Sequence, residues 1–404
     1  MLQLRKGHQV QLLQGGQAFF DALVSAIDRS LHEVRLETYI FRVSGSGERV
    51  ACALERAAQR GVSVYFVMDG VGTPSIPHEW EQRFKAVGVE WRIFSPLGRL
   101  GLLIPGRWRR LHRKLCSIDG LVAFCGGINL IDDYYDLNHG VLTDPRFDFA
   151  VRVTGPLVQA VHEATAQFWW RLQTVQTVRD KDFSGAWLAL QEAVKLAVQA
   201  NSDAQADAPV THQNTTADLI LRDNVRNRTR IERTYRKVIG EAREEIILAN
   251  AYFFPGRKLR KSLIHAAQRG VRVRLLLQGR YEYFLQDHAV RQVYGSLLRA
   301  GVEIHEYSVS FLHAKVAVID SHWATVGSSN LDPLSLLLAR EANIVVEDSV
   351  FAKDLRARLE HAMAHGGVQV DSAKYANRPW QQRFLDRLAF ALVSLVLFLN
   401  GSRY

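Results

Sequence analysis

Two histidine and lysine pairs carry the residue types best suited to chemistry. His112 and Lys114 occur in the segment LHRKLCSID, and His313 and Lys315 occur in LHAKVAVID, 201 positions further along the chain. In a strand, residues two apart project to the same face. A lysine ammonium cannot bind a metal ion and repels cations, so these pairs make poor metal sites. They make good phosphate sites, in which the lysine supplies charge and the histidine can attack phosphorus or carry a proton.

A short segment that begins with glycine and ends with asparagine follows each pair at the same distance. The 201-residue offset also relates three further pairs, which are Asp119 and Asp320, Gly126 and Gly327, and Asn129 and Asn330. Each asparagine could donate its amide to a phosphate oxygen. Ser328 adds a hydroxyl group in the second copy, where the first copy has a glycine. The two aspartates complete the motif and are predicted to hold a turn rather than to react.

The similarity between the two halves extends beyond these motifs. The segment AAQRGV starts at Ala57 and again at Ala266, followed by VYFVMDG and VRLLLQG respectively. Ahead of these, VRLETYIF at Val34 corresponds to IILANAYF at Ile246. Each half is predicted to run strand, helix, strand, helix, strand, and then a strand pair that carries the motif. This pattern predicts an α/β fold with a sheet covered by helices, present twice as a pseudo-twofold pair.

Composition shifts mark the expected domain boundaries. Residues 201–216 read NSDAQADAPVTHQNTT, which is polar, small and without periodicity, as in a linker. We therefore expect a first domain at 1–182, a helix and linker at 183–216, a second domain at 217–365 and a basic and apolar tail at 366–404.

The duplication indicates how two histidines could share one reaction. A single histidine on a strand is more often structural, but two copies in a pseudo-twofold pair would meet at one interface. One histidine would attack the phosphorus of a phosphodiester, while the other would protonate the leaving alcohol and later activate the acceptor hydroxyl. The lysines and asparagines would stabilise the charge on the non-bridging oxygens, so the sequence calls for neither a metal nor a cofactor.

The overall charge indicates an anionic partner. The chain has 51 Lys and Arg against 41 Asp and Glu, a formal net charge of +10, and its 48% share of hydrophobic residues argues against global disorder. The three cysteines include no C-x-x-C pair, which argues against a disulfide framework or a zinc ribbon.

A basic and apolar segment precedes the first motif. Between Arg99 and Lys114 there are six basic residues and no acidic ones. Basic residues beside an apolar loop with a tryptophan suit the surface of an anionic bilayer. The alternative is a solvated basic loop over a buried apolar plug. The predicted membrane-binding residues are Leu102, Leu103, Ile104, Arg107, Trp108, Arg109 and Arg110.

The C-terminal segment is also apolar. Leu388 to Leu399 reads LAFALVSLVLFL. As a helix this segment would reach about 18 Å, short of the roughly 30 Å hydrocarbon layer. It is therefore predicted to lie in the membrane interface, with a C-terminal core helix or a dimer contact as the alternative. The N-terminal residues show no signal peptide, which predicts a cytoplasmic location for the bulk of the chain.

The pattern H-x-K-x₄-D followed by G-[GS]-x-N, present twice, resembles the phospholipase D superfamily. The resemblance implies two α/β/α sandwich domains and a covalent phosphohistidine formed without a metal, with His112 as nucleophile and His313 as general acid and base. It also implies a carboxylate behind each histidine, and the matching positions are Asp148 in RFDFAVRVTGP and Glu341 in AREANIVVED.

Four further segments resemble bacterial cardiolipin synthases: ETYIF, ANAYFFPG, LRDNVRNR and RKLCSIDG. This implies transfer of a phosphatidyl group to phosphatidylglycerol by a peripheral enzyme on the cytoplasmic side of the bacterial inner membrane, with anionic phospholipid rather than nucleic acid as partner. Three alternatives stay open, namely a hydrolytic phospholipase D, a nuclease or phosphodiesterase of the same superfamily, and a membrane-binding protein without activity. The intact motifs argue against the last of these.

Overall fold

The computed structural model describes residues 4–98, 101, 105–179, 215–223, 227–280, 284–332 and 339–399. The predicted membrane-loop residues Leu102, Leu103 and Ile104 lie outside the described residues. So does most of the predicted helix and linker at 183–216.

The first half of the chain alternates strands and helices as its sequence predicts. Its elements are β1 (Arg5–Gln14), α1 (Gly15–Asp28), β2 (Glu33–Thr38), α2 (Ser46–Gln59), β3 (Ser63–Asp69), α3 (His78–Val87), β4 (Glu90–Phe94), a 3₁₀ turn (Pro105–Trp108), β5 (Arg110–Leu111), β6 (Lys114–Ile118), β7 (Val122–Gly126), β8 (Tyr135–Asp136), β9 (Gly140–Val141), β10 (Phe149–Thr154) and α4 (Leu157–Arg179).

The second half repeats this order and adds C-terminal helices. Its elements are β11 (Thr215–Arg222), α5 (Arg230–Glu241), β12 (Glu245–Asn250), α6 (Arg257–Gln268), β13 (Arg272–Gln278), α7 (Phe284–Leu298), β14 (Glu303–Tyr307), β15 (Lys315–Ile319), β16 (Trp323–Gly327), β17 (Ala339–Glu347), α8 (Ser349–Gly366), β18 (Gly367–Gln369), α9 (Ser372–Ala376) and α10 (Trp380–Leu399).

The chain divides into two compact units that do not follow the halves of the sequence. The first unit comprises Gln3–Asp133 and Ala150–Leu219, and the second comprises Tyr134–Phe149 and Ile220–Tyr404. The hairpin of β8 and β9 thus belongs to the second unit, although it lies in the first half of the chain. The predicted domain limits and the predicted pseudo-twofold pairing stay predictions.

The two units contain sheets of the same topology. In the first unit the strand order is β1-β10-β7-β6-β2-β3-β4, and in the second it is β18-β14-β13-β12-β15-β16-β17. In each sheet three parallel strands (β2, β3 and β4; β12, β13 and β14) adjoin three antiparallel ones (β6, β7 and β10; β15, β16 and β17). The repeated topology confirms the duplicated mixed α/β fold predicted from the repeat.

The sheet of the first unit is covered on both faces. Phe66 and Val67 are neighbours on β3 and therefore point to opposite faces. Phe66 belongs to the hydrophobic core that includes residues of α1 and α2. Val67 packs with Phe168 and Trp169 of α4. Because both faces are apolar, the central strands are almost entirely buried, as β6 shows over its whole length.

The C-terminal helix α10 packs against α7. Asp386 and Ala389 of α10 are buried, and Asp386 Oδ1 lies 2.7 Å from His288 Nδ1 on α7. The aromatic ring of Phe390 lies 5.5 Å from that of Phe254, centroid to centroid. In the ranges that the structure describes, no helix has the length and hydropathy needed to cross a membrane.

Candidate active site

Both histidines lie just ahead of a central strand of their sheet. β6 begins at Lys114 and pairs on either side with β2 and β7, and β15 begins at Lys315 and pairs with β12 and β16. A strand held by two neighbours leaves little freedom at its first residue. The residue two positions earlier in each segment, His112 or His313, is fixed by additional contacts that differ between the units.

His112 is packed against an aromatic ring. Its imidazole lies 4.9 Å from the Tyr39 ring, centroid to centroid. Lys114 is 5% exposed, and its Nζ donates to the His112 carbonyl oxygen at 2.7 Å. The same ammonium lies 5.6 Å from the centre of the Tyr39 ring, where a cation is attracted to the π face. Histidine, lysine and tyrosine therefore form one cluster in the first unit.

A buried carboxylate that the sequence analysis missed positions the residue before His112. Asp69, at the end of β3, accepts a hydrogen bond from the Leu111 N–H at 2.7 Å and pairs with Arg110 at 3.1 Å. Burial raises the pKa of Asp69 above its ordinary value, although the Leu111 N–H and the Arg110 charge act in the opposite direction.

The second unit places an amide in the position of this carboxylate. Gln278, at the end of β13, accepts a hydrogen bond from the Leu312 N–H at 3.2 Å. The internal repeat could have identified both residues, because Asp69 and Gln278 occupy the same position in VYFVMDG and VRLLLQG. In both units the carboxyl end of a parallel strand two places away in the sheet, β3 or β13, thus anchors the segment that carries the histidine.

A second contact missed from the sequence fixes the first motif from the opposite face of the strand. Arg113, between His112 and Lys114, is buried and donates to Glu37 Oε1 at 2.8 Å. It also donates to the Ala164 carbonyl oxygen at 3.1 Å. The segments ETYIF and RKLCSIDG contain these two partners, but their spacing alone does not show that they meet.

The motif aspartates hold turns, as predicted from the sequence. Asp119 accepts hydrogen bonds from the backbone N–H groups of Leu31, His32 and Glu33, each at 2.8 Å. Asp320 does the same for Arg243, Glu244 and Glu245, each at 2.9 Å. These contacts tie the end of the motif strand to the start of β2 or β12. They support the predicted structural role of both aspartates.

His313 is oriented by a carboxylate in the second unit. Its Nδ1 lies 2.6 Å from Asp148 Oδ2, and the Asp148 side chain is 3% exposed. The backbone beside Asp148 runs along the histidine segment, because the N–H groups of His313 and Ala314 donate to the Phe147 carbonyl oxygen at 2.9 and 3.0 Å. Asp148 comes from the first half of the sequence, but it acts on the histidine of the second half.

Glu341 lies in a buried polar group of the second unit. The Ser328 hydroxyl donates to Glu341 Oε2, and the Ala342 N–H donates to Ser328 Oγ at 3.1 Å. Burial lowers the pKa of Arg222 to about 10, and the negative charges of Glu341 and Asp332 act against this. A role for Glu341 behind a histidine stays a prediction.

The remaining predicted phosphate ligands are buried. Asn129 Oδ1 accepts the Ile40 N–H at 3.2 Å, which orients the rest of its amide. Asn330 is buried, and so is Lys315, whose Nζ donates to the His313 carbonyl oxygen. A Cβ atom at Gly327 would lie 2.3 Å from Asn343 Cγ, so this approach of β16 to β17 requires glycine.

The predicted membrane segment is partly described. Arg107 Nη1 donates to the Leu97 carbonyl oxygen at 2.7 Å, and Arg110 Nε donates to the Trp108 carbonyl oxygen at 3.0 Å. Trp108 is half-buried, and Arg109 is exposed. Arg107 and Arg110 thus stabilise the turn before the first motif. Among the residues described, no group of three or more His, Cys, Asp and Glu side chains is arranged to hold a metal ion.

A family model described as "Cardiolipin synthase, PLD-like domain" matches the chain twice, over residues 23–152 and 235–363. The chain belongs to this family. The resemblance to the phospholipase D superfamily and the duplicated fold are thereby confirmed. The family acts on phospholipid substrates, and both matched ranges contain a complete histidine and lysine motif.

Similar proteins cover almost the whole chain. It is 36% identical over 398 residues to cardiolipin synthase B of Escherichia coli strain K12, an alignment that spans 96% of this chain and 88% of that protein. It is 27% identical over 390 residues to a cardiolipin synthase of Alkalihalophilus pseudofirmus, spanning 96% and 72%. Among solved structures, Haemophilus influenzae phosphatidylserine synthase is similar in fold, with a TM-score of 0.66 at 12% identity, spanning 98% and 96% of the two chains.

Proposed function

We propose that the protein is a cardiolipin synthase that transfers a phosphatidyl group to phosphatidylglycerol through a phosphohistidine. The main support for the proposal is the duplicated motif on equivalent strands of two units, because transfer through a phosphohistidine needs two histidines with opposite roles. Membership of the family and the similarity to named cardiolipin synthases support the choice of substrate.

In the proposed mechanism His112 is the nucleophile. Its nitrogen forms a bond to the phosphorus of the donor lipid, and the bond from phosphorus to the leaving alcohol breaks. His313 donates a proton to that alcohol and then removes one from the hydroxyl of the acceptor phosphatidylglycerol, whose oxygen displaces His112 from phosphorus. Lys114 and Lys315 provide positive charge for the phosphoryl oxygens.

The orientation of His313 supports its part in this scheme. A carboxylate against Nδ1 favours the tautomer that carries a proton on that atom, which leaves Nε2 for proton transfer. The assignment of the nucleophile to His112 rests on the resemblance.

We also propose that the enzyme works at the surface of an anionic membrane, on its cytoplasmic side. Support comes from the net charge of +10 and from the exposed apolar side chains of α10, which include Trp380, Phe384 and Leu388. Basic and apolar groups side by side are typical of proteins that bind a bilayer interface.

One product assay tests the proposed reaction. Purified protein is incubated with phosphatidylglycerol vesicles in the presence of a chelator, and the products are identified by mass. We expect cardiolipin and glycerol from the wild type, and a loss of turnover of at least about 10²-fold in His112→Ala and in His313→Ala.

The other outcomes separate the alternatives. Phosphatidic acid as the main product would identify a hydrolase, and a protein that cleaves an oligonucleotide but leaves the vesicles unchanged would be a nuclease. Either result would overturn the proposal. A donor with a nitrophenol leaving group, which needs no proton, should restore the first step in His313→Ala and leave His112→Ala inactive. The opposite pattern would reverse the two roles.

A further inference from the structure

A cavity lined by arginines lies within the second unit, beside the C-terminal helix. Residues of α6, α7, α9 and α10 and of the turns next to them enclose about 600 Å³. Its lining includes five arginines, which are Arg260, Arg299, Arg378, Arg383 and Arg387. No carboxylate belongs to the lining residues that the structure describes, and none of these residues belongs to the histidine motifs. The cavity is therefore strongly cationic and separate from the candidate active site.

Three of these arginines keep their charge available. Arg378 is already used, because its guanidinium lies 2.8 Å from Asp386 and stacks on the ring of Tyr375. In the part of the chain that the structure describes, the side chains of Arg299, Arg383 and Arg387 have neither a carboxylate nor another hydrogen-bond partner. All three are exposed to solvent at the cavity.

The positions of the arginines are set by packed helices. α10 is held on α7 by the buried Asp386 and Ala389 and by the contact of Phe390 with Phe254. Arg383 and Arg387 are one helical turn apart on α10, so both face the same cavity. Planar guanidinium groups that converge on one space suit a phosphate, which they can bind with pairs of parallel hydrogen bonds.

An apolar row on α10 lies next to this cationic row. With 3.6 residues per turn, Trp380, Phe384 and Leu388 fall on one line along the helix, adjacent to Arg383 and Arg387. The exposed fractions of Trp380, Phe384 and Leu388 are 72%, 58% and 47%. Large apolar side chains exposed at neighbouring positions indicate a binding surface. A ligand that carries a phosphate beside hydrocarbon would satisfy both rows at once.

We propose that this cavity binds the phosphodiester headgroup of an anionic phospholipid, whose acyl chains lie against the row of Trp380, Phe384 and Leu388. The lipid bound here is not the reacting one, since no residue of either histidine motif lines the cavity. The site holds the second unit on an anionic membrane through one bound headgroup in addition to general charge attraction. The proposal does not depend on the reaction catalysed.

Vesicle binding of two matched double variants tests this site. Full-length Arg383→Gln with Arg387→Gln removes two charges from the cavity, and Arg233→Gln with Arg243→Gln removes two exposed charges elsewhere in the second unit. Cosedimentation is measured with vesicles of phosphatidylglycerol and phosphatidylcholine, and with phosphatidylcholine alone. We expect the cavity variant to bind anionic vesicles at least about tenfold more weakly, since each basic group contributes roughly 1 kcal/mol at the surface. The control variant should lose clearly less.

The other outcomes overturn the proposal. Equal losses of vesicle binding in the two variants would show a general electrostatic effect and no site.

Calorimetry with inorganic phosphate and with soluble glycerophosphoglycerol separates the sources of phosphate. Binding of inorganic phosphate as tight as that of the vesicles, lost in the cavity variant, would assign the site to a free anion. Binding of a single-stranded oligonucleotide, lost in the same variant while vesicle binding persists, would assign it to nucleic acid. Unchanged melting temperatures in both variants exclude misfolding as the cause of a loss.

Discussion

The contact between Asp148 and His313 determines which nitrogen of the imidazole is available. With Nδ1 at 2.6 Å from a carboxylate that is almost fully buried, the ring is fixed in orientation and Nε2 is left for the substrate. The carboxylate also stabilises the imidazolium that forms when the histidine takes up a proton. Asp148 is therefore a positioning residue that acts through His313.

Asp148→Asn should reduce turnover strongly without unfolding the protein. An asparagine has almost the same shape, but its amide can donate to Nδ1 and so favours the tautomer with the proton on Nε2. We expect a loss of kcat of about 10²- to 10⁴-fold, as is typical when the orienting carboxylate of a histidine is replaced by an amide. The rate and its pH profile, measured on phosphatidylglycerol vesicles, check this.

A matched control lies four residues earlier. The Asp144 side chain accepts a hydrogen bond from the neighbouring Thr143 hydroxyl at 3.0 Å. Asp144→Asn should therefore keep near-normal turnover. Normal turnover of Asp148→Asn, or a pH profile identical to that of the wild type, would exclude the positioning role.

At the scale of the elements, each motif strand is anchored at both ends. At its start, Asp69 or Gln278 receives the N–H of the residue before the histidine. At its end, Asp119 or Asp320 binds three consecutive N–H groups. Both aspartates have a positive φ, of 52° and 50°, in the left-handed region that few side chains other than those of asparagine and aspartate adopt. The histidines are thus positioned by strands whose ends are fixed.

Asp119→Asn should lower the free energy of unfolding by about 1.5–3 kcal/mol, the usual value of a hydrogen bond to a charged group. Asparagine tolerates the positive φ and can keep the two bonds at Oδ1, from His32 and Glu33. Its NH₂ group would face the Leu31 N–H, which now donates to Oδ2. Denaturant unfolding at neutral pH measures the change, and Asp320→Asn should behave alike.

The loss of stability caused by Asp119→Asn should depend on pH in one direction. Burial acts to raise the pKa of Asp119, and the N–H groups of Glu33, Leu31 and His32 outweigh it, so this pKa lies below its ordinary value of 3.8. The charged form of Asp119 therefore contributes its full stabilisation of the fold above the ordinary pKa of 3.8. This contribution is lost as the pH falls through the lowered pKa. The difference between wild type and Asp119→Asn should shrink in acid. A constant difference, or a loss as large in the exposed Asp21→Asn, would contradict this.

The elements were largely predictable, whereas the contacts between them were not. The repeated AAQRGV segments and the alternation of strands and helices predict each sheet, since this information is local. The contact of Asp148 with His313 joins residues 165 positions apart, and that of Arg113 with Glu37 joins residues 76 positions apart. Spacing along the chain does not predict such contacts, because they depend on how the strands are arranged in the sheet.

At the scale of the whole molecule, the net charge of +10 combines with exposed apolar groups near the C-terminus. The sequence predicts that the tail binds a membrane or, as an alternative, packs on the core. The structure has α10 packed through Asp386 and Ala389, while Trp380 and Phe384 stay exposed. An amphipathic helix of this kind can do both at once, because its two faces are independent.

Binding to anionic vesicles should weaken as salt is added. The screening length falls from about 10 Å at 0.1 M to about 3 Å at 1 M, so the attraction between the protein and a negative surface is reduced. Cosedimentation with vesicles that contain phosphatidylglycerol, at these two salt concentrations, measures the effect. The apolar contacts of α10 should leave part of the binding intact. Binding that is unchanged at high salt, or equally strong on phosphatidylcholine alone, would contradict a role for charge.

The allocation of residues 134–149 to the second unit limits how the molecule can be divided. This stretch is covalently embedded between two strands of the first unit, β7 and β10, yet it supplies Asp148 to His313. A protease cut or a gene split between Arg179 and Thr215 would therefore break the covalent connection between this histidine and its carboxylate. A fragment that starts at Thr215 would have its own sheet and an intact H-x-K motif, but it would lack Asp148. Two such fragments could regain activity only together, which makes the chain a natural candidate for split-protein complementation.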